Sequence, residues 1–394
     1  MEKTYKAGPI IIGYEHHNTL SIIRCFGQEY VHVDVILCGC NDSYISTSCY
    51  VRNLVYIDTP NELSDVLLNN FITSEKRLII SCADPISSEI DKHFSQLSDN
   101  FFFSNCGEQG KLTYYMNKEV QLGLASEVGF DIPETYRKES ASFPCLIKPV
   151  ESINGGKHID VANSQEELSK ALDHYRDSKT YTIEQFLVKD SEIVLAGLSY
   201  NGNVIIPGYI EKIREIAGGT TYSQVCSIDS LPSEIITRSE SLIRKVNYTG
   251  LFGIELIRVG SKYYFIELNL RNDATTYSFV YGGVNLPYIY YQSVSDRDMQ
   301  SPVPLQRTGY FSIVENRDFG FVTSSRISIE EWLDCLRESS CRYFADSEDK
   351  GPYRVIKRRM IDSYIRSKLS RIKHAIFRTE VAGVHAKGIS TKNK

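Results

Sequence analysis

At 394 residues the chain exceeds what one hydrophobic core ordinarily fills, about 250 to 300 residues, so two or three domains are expected. Hydrophobic residues at 42% and charged residues at 24% describe a folded globular protein and exclude disorder over most of the length. The net charge of −5 hides an asymmetry, because Lys350 to Lys394 carries 13 Lys or Arg against 2 Asp or Glu, so the body before this tail is strongly acidic.

No apolar run approaches the ~20 residues needed to cross a bilayer, and MEKTYKAGPIIIGYEHH reads as a first strand, not as a signal peptide. The ten cysteines form no C-x-x-C pair, which fits a reducing cytoplasm.

Residues 9–13, PIIIG, then the amphipathic TLSIIRCFG and VHVDVILCG, predict strand, helix and strand, with Gly27 at the helix end. LVYID and RLIISCAD continue the alternation, giving an α/β domain with a parallel sheet over residues 1–112. Next comes a helix, MNKEVQLGLASEVG, stopped by Gly129. FPCLIKPV, the glycine-bearing loop ESINGGKHIDV, a Ser-capped helix SQEELSKALDHYRD and the strand YTIEQFL complete an α+β unit over 113–188. From 189 to 300 the chain is mostly strand, in IVLAGLSY, NVIIPGYIEKI, LFGIELIRV and YYFIELNLR, with one helix in LPSEIITRSESLIRKV. Residues 301–394 form a C-terminal extension. Its EEWLDCLRE segment is read as a helix packed through Trp332, the single tryptophan.

The most informative stretch is YYFIELNLRND, residues 263–273. Strand periodicity puts Glu267, Asn269 and Arg271 on one face and Ile266, Leu268 and Leu270 on the other. Two oxygen donors beside a guanidinium suit a hard cation bound to phosphate. In LFGIELIRV, Glu255 alternates with Phe252, Ile254 and Leu256 in the same way. Taken alone, an E-x-N strand reads as the solvated face of an amphipathic pair. Lys148, closing the apolar run CLIKP, shifts that balance, since an inward ammonium needs an anion. Gly155 and Gly156 in the following loop would let backbone amides approach phosphate oxygens. Lys212 and Arg214, before Gly218-Gly219-Thr220-Thr221, read either as a substrate-carboxylate site under a mobile lid or as a solvated charged turn.

In composition, order and spacing this set resembles the ATP-grasp ligases over about residues 110–293: Lys118 in an N-K helix, Lys148 in I-K-P, the glycine loop, Glu184-Gln185-Phe186-Leu187, Glu192, Glu255 and Glu267-x-Asn269-x-Arg271. The preceding unit resembles the Rossmann-like pre-ATP-grasp domain. NLRNDATTYSFVYGGVNLP is most similar to the amino-acid ligase group, including the D-aspartate ligase type. The resemblance implies a pre-ATP-grasp domain, a two-lobed ATP-grasp fold and a basic helical tail. It also implies ATP with Mg²⁺, two ions or Mn²⁺ in their place. On it, Lys118 and Lys148 contact phosphates, Gly155 and Gly156 close over them, Glu184 to Leu187 form the adenine hinge, and Glu192 binds ribose. Glu255, Glu267 and Asn269 hold metal, and Arg271 stabilises the transferring phosphoryl group.

The implied activity is activation of a carboxylate as an acyl phosphate and its coupling to an amine, with small-molecule or envelope-precursor substrates. The alternatives are carboxyphosphate chemistry, as in carboxylases or carbamoyl phosphate synthesis, and a nucleotide-dependent binding protein using its basic tail. His16 and His17 follow the first strand, where ligands of open α/β sheets bind, yet a surface role is the preferred reading. In the tail, Ile361, Tyr364, Ile365, Leu369, Ile372 and Ile376 share a helical face among cations. Docking on the acidic body is expected, a membrane-surface contact is the alternative for an envelope substrate, and no nucleic acid is expected.

Overall fold

The computed structural model describes residues 8–149, 159–174, 181–216, 219–296 and 304–389. Five parallel strands open it: β1 (Ile10–Gly13), β2 (Val33–Cys38), β3 (Val51–Ile57), β4 (Arg77–Ser81) and β5 (Phe101–Phe102), in the order β3-β2-β1-β4-β5. Ile10, Ile11 and Ile12 are all buried, as expected of a central parallel strand covered on both faces. The helix His17–Gly27 packs on this sheet, with the His16 ring accepting the Asn18 backbone N–H at its N-terminus. Nothing in this arrangement departs from the expected Rossmann-like unit.

A second sheet contains β6 (Thr135–Tyr136), β7 (Cys145–Pro149), β8 (Asp160–Ala162) and β9 (Tyr181–Gln185), in the order β6-β9-β7-β8. Its small core joins Cys145, Ile147, Ala162 and Ile183 to Leu168, Ala171 and Leu172 of the helix Gln165–His174.

The third sheet is the largest, with β10 (Ser191–Tyr200), β11 (Asn203–Ile205), β12 (Gly208–Ile216), β13 (Gly219–Ser227), β14 (Gly250–Val259), β15 (Lys262–Asn269), β16 (Phe311–Ile313) and β17 (Ser339–Arg342). Three features differ from the sequence reading. NVIIPGYIEKI is two strands, since Pro207 interrupts the ladder. Gly219, Thr220 and Thr221 are no open lid but the start of β13, paired with β12, and Thr221 is buried. The remainder of that expected lid, Gly218, lies outside the described residues. Finally, β16 and β17 of the C-terminal extension continue this sheet beyond β13.

The extension closes back on the first domain. Arg24, fully buried, donates to the Asp349 carboxylate at 3.1 Å and to the carbonyls of Tyr343, Phe344 and Asp349. Asp349 also accepts from Ser48 Oγ and the Cys49 amide, both at 3.0 Å. Trp332 is buried against Phe319, as its helical spacing suggested. The terminal helix Lys350–Ile389 does dock on the body, through Ile356, Met360, Tyr364 and an Arg359–Glu15 ion pair. Ile361, Ile365 and Leu369, expected on the docking face, are half exposed instead. The side chains of Ile372 and Ile376 lie outside the described residues.

Candidate active site

Antiparallel pairing of β14 with β15 sets Glu255 opposite Glu267 and Gly253 opposite Asn269. A bulge leaves Ile266 unpaired, so Phe265 enters the core where Ile266 was expected; Leu268 and Leu270 are buried as expected. On β10, Glu192 comes within reach of β12, and Lys212 joins the three strands: its ammonium contacts Glu192 and lies 2.8 Å from Glu255. Lys189 adds a second cation to Glu192 at 2.8 Å. Lys118, at the start of the helix Lys118–Glu127, lies 3.7 Å from Glu267.

Electrostatics in this cluster are strongly coupled. Burial, opposed by Lys212 and reinforced by the Glu267 and Asp273 carboxylates, pushes Glu255 up to about 7. For Lys212, only 6% exposed, burial disfavours the charge, but Glu255 and Glu192 outweigh it and hold the pKa well above its ordinary value. Asp273 reaches this group because Gly253 has no side chain: a Cβ there would meet the Asp273 Cβ at 2.9 Å.

Arg271 projects from the end of β15 toward the first domain. It donates to Asp84 at 2.6 Å, to Asn269 Oδ1 at 3.0 Å and to the Asn272 carbonyl at 3.2 Å. Asp84 opens the helix Asp84–Lys92 directly after β4, so the parallel sheet's carboxyl end and the large sheet meet at this guanidinium. Asn272 and Asn18 hold the same junction, with Asn18 Nδ2 on the Asn272 and Cys82 carbonyls at 3.1 Å.

Lys148 has an anionic partner as its inward position required, and that partner is a carboxylate: Glu184 Oε2 at 2.6 Å. Gln185 accepts the Glu134 amide at 3.4 Å, and Phe186 and Leu187 follow β9, half-buried. Gly155 and Gly156 lie outside the described residues.

Arg214 is not brought to the cluster. A bulge in β12 on either side of it turns the side chain away from Lys212. It donates to buried Asp318 at 3.0 and 2.7 Å and stacks over Tyr222, its centre 4.4 Å from the ring centroid. That closed pair fixes β12 to the helix Glu315–Thr323 and leaves Lys212 as the cation of the expected pair that faces the carboxylates.

His17 is buried and His16 half-buried, so the expected surface role does not hold for His17. His17 is 5% exposed, and burial with the neighbouring Arg317 lowers both imidazole pKa values, His16 to about 4. Asp84, Asp273 and Lys189 are participants that sequence reasoning missed. Asp84 could have been suspected from its place at a strand's carboxyl end, as the histidines were; Asp273 and Lys189 gave no such signal.

The donor set fits a hard divalent cation. Glu255 and Glu267 stand opposite each other on β14 and β15, and burial first, then the Glu267 and Asp273 carboxylates, raises the Glu255 pKa. Asn269 donates its Nδ2–H to Glu255 Oε1 at 3.4 Å while its oxygen accepts from Arg271, so that oxygen would join the carboxylates on a cation once the amide turns over. Among the described residues no three His, Cys, Asp or Glu side chains group as a metal cage. A cation here would therefore share its shell with water or substrate oxygens, as Mg²⁺ commonly does.

The ATP-grasp domain family matches residues 118–275, the span that contains every one of these β10, β12, β14 and β15 side chains. Residues 118–275 carry an ATP-grasp domain. The carbamoyl phosphate synthase large chain of Clostridium beijerinckii is 22% identical over 291 residues, 68% of this chain and 26% of that protein, so the chain spans about a quarter of that relative's length. Among solved structures, the biotin carboxylase domain of Hydrogenobacter thermophilus 2-oxoglutarate carboxylase, in complex with MgADP, ADP and bicarbonate, superposes with a TM-score of 0.58 at 14% identity, covering 76% of this chain and 73% of that one. The L-amino acid ligase of Bacillus licheniformis gives a TM-score of 0.57 at 16% identity, covering 73% and 74%. These likenesses establish the ATP-grasp fold, with the parallel N-terminal sheet before it.

Proposed function

We propose that the chain is an ATP-dependent ligase that converts a carboxylate to an acyl phosphate and joins it to an amine. The observation that carries this reading is the continuous array of Lys118, Glu267, Asn269, Arg271, Glu255 and Lys212 across β12, β14, β15 and the first domain's edge. Carboxylate and triphosphate are both anionic, so their approach needs fixed cations in a site poor in water. Lys118, beside Glu267, and Arg271, just beyond the end of β15, are the cations available to meet that charge, while Lys212 holds Glu192 and Glu255 in place. Mg²⁺ held by Glu255, Glu267 and Asn269 would supply further neutralisation of the phosphate oxygens.

A carboxylate oxygen attacks the γ-phosphorus and ADP leaves. The amine nitrogen then attacks the acyl carbon, phosphate departs with the bonding electron pair, and the surplus amine proton passes to solvent or phosphate. No protein nucleophile is required, which suits a cluster without cysteine or serine.

Carboxyphosphate chemistry is the second reading, favoured by the likeness to a bicarbonate-bound carboxylase domain and to carbamoyl phosphate synthase. It shares the first step, with bicarbonate as the carboxylate. Phosphate release measured with amino acids, with other carboxylates plus amines, and with bicarbonate separates the two. Glu267→Gln and Arg271→Ala are each expected to abolish the substrate-dependent release without loss of fold; normal turnover in both removes the mechanism.

A further inference from the structure

A cavity of about 350 Å³ lies between the turn after β1 and the C-terminal extension, lined among others by His16, His17, Asn316, Arg317 and Arg359. That volume is at the small end of ligand sites, enough for an amino acid or short peptide. Its charges do not balance internally. Glu15 is already paired with Arg359 at 2.5 Å and accepts the Tyr44 amide at 3.0 Å. Arg317 donates to the Ile216 carbonyl at 2.6 Å, and among the described residues it has no carboxylate partner.

The histidines sharpen the imbalance. His16 Nδ1 accepts the Asn18 N–H, so the proton of the neutral ring belongs on Nε2. That Nε2 faces Arg317 Nη1 at 3.3 Å, leaving two donors aimed at one space. An acceptor lying to one side and touching both is what the geometry lacks. Beside it, His17 is more than nine-tenths buried, lines the cavity, and among the described residues has ring contacts but no hydrogen bond to its nitrogens. The Asn316 side-chain oxygen is a buried acceptor without a partner, which suits the amino group of an amino acid and not its carboxylate. Asn18, next to His17, is hydrogen-bonded to Asn272, next to Arg271, which ties the cavity's wall to the site where the phosphoryl group would transfer.

We propose that this cavity binds the anionic carboxylate of a small-molecule substrate, with Arg317 as the recognition residue and His16 Nε2 as second donor. The proposal rests on the ligase reading for the word substrate, but not for the binding itself. It assigns specificity to the extension, since Asn316 and Arg317 lie beyond the matched span of residues 118–275.

The full chain is titrated calorimetrically with succinate, L-glutamate and D-aspartate, with inorganic phosphate as the competing anion, and carboxylate-dependent ADP release is followed in parallel. Binding of at least one carboxylate in preference to phosphate is expected, weakened about 10- to 100-fold in Arg317→Gln by loss of charge-assisted hydrogen bonds, and partly retained in Arg317→Lys. His16→Phe removes the Nε2 donor while keeping a ring and serves as the second variant, with weaker carboxylate binding expected and the KM for ATP unchanged. Equal carboxylate affinity in wild type and Arg317→Gln overturns the proposal, as does phosphate binding ahead of every carboxylate, or no binding at all. If carboxylates bind through Arg317 but no ADP is released, the ligase reading fails and the cavity assignment stands.

Discussion

Arg24→Ala removes a guanidinium whose donors meet Asp349 Oδ2 at 3.1 Å and the carbonyls of Tyr343, Phe344 and Asp349 at 2.6, 2.9 and 3.0 Å. Both members of the ion pair are completely buried, so water cannot replace the lost contacts without opening the interface. Breaking a buried pair from one side typically costs about 3–5 kcal/mol, because the surviving charge stays desolvated and unpaired. The surviving Asp349 keeps Ser48 and the Cys49 amide, which places the expected loss toward the lower end, about 3 kcal/mol. Urea unfolding followed by tryptophan fluorescence measures it, since Trp332 sits in the extension that the pair anchors. A change below about 1 kcal/mol, the range of an exposed pair, would refute the view that this clasp joins the extension to the first domain.

Lys212→Met leaves Glu192 and Glu255 without their shared cation, and substrate-dependent ADP formation is expected to fall at least about 100-fold, read in a coupled assay. Gly253→Ala drives a Cβ against Asp273 and should destabilise by about 1–3 kcal/mol in the same urea titration. His16 is held neutral with its pKa lowered to about 4 by burial, Arg317 and Arg271. Its stabilising contribution is therefore full above the unfolded value of about 6.5 and is lost as pH falls through about 4. Urea midpoints of wild type and His16→Gln should converge on acidification; parallel curves contradict this. Deletion from 350 removes Ile356, Met360 and Arg359 from their packed positions and should lower the melting temperature sharply.

Period-two alternation made the β14–β15 face readable, because Glu255, Glu267 and Asn269 interrupt otherwise apolar strands at the right parity. The same reasoning failed at Ile266, where a bulge changes parity, and the bulges on either side of Arg214 separate it from Lys212, with which it was read as one site. Asp84 meets Arg271 across 187 positions of sequence, a contact that depends on how two sheets abut and that no local pattern encodes. The histidines looked superficial because the terminal helix and the helix Glu315–Thr323, which cover them, lie about 300 residues away. Gly219-Thr220-Thr221 resembled a flexible loop by composition, yet its backbone finds partners on β12 and its Thr221 hydroxyl finds Asp318 at 2.7 Å.

The two rims of the large sheet bear on how this chain behaves at high concentration. An unpaired outer strand offers free amides and carbonyls to a neighbouring molecule and can seed intermolecular ladders. Here one rim, β15, is partly covered by the segment at Asp131, which bridges Tyr264 and accepts the Phe265 amide at 2.8 Å. The other rim, β17, is only four residues long and ends in Arg342, a short and charged template. Without the extension that rim would be β13, nine residues long, so the strands appended after residue 301 act as a guard against self-association.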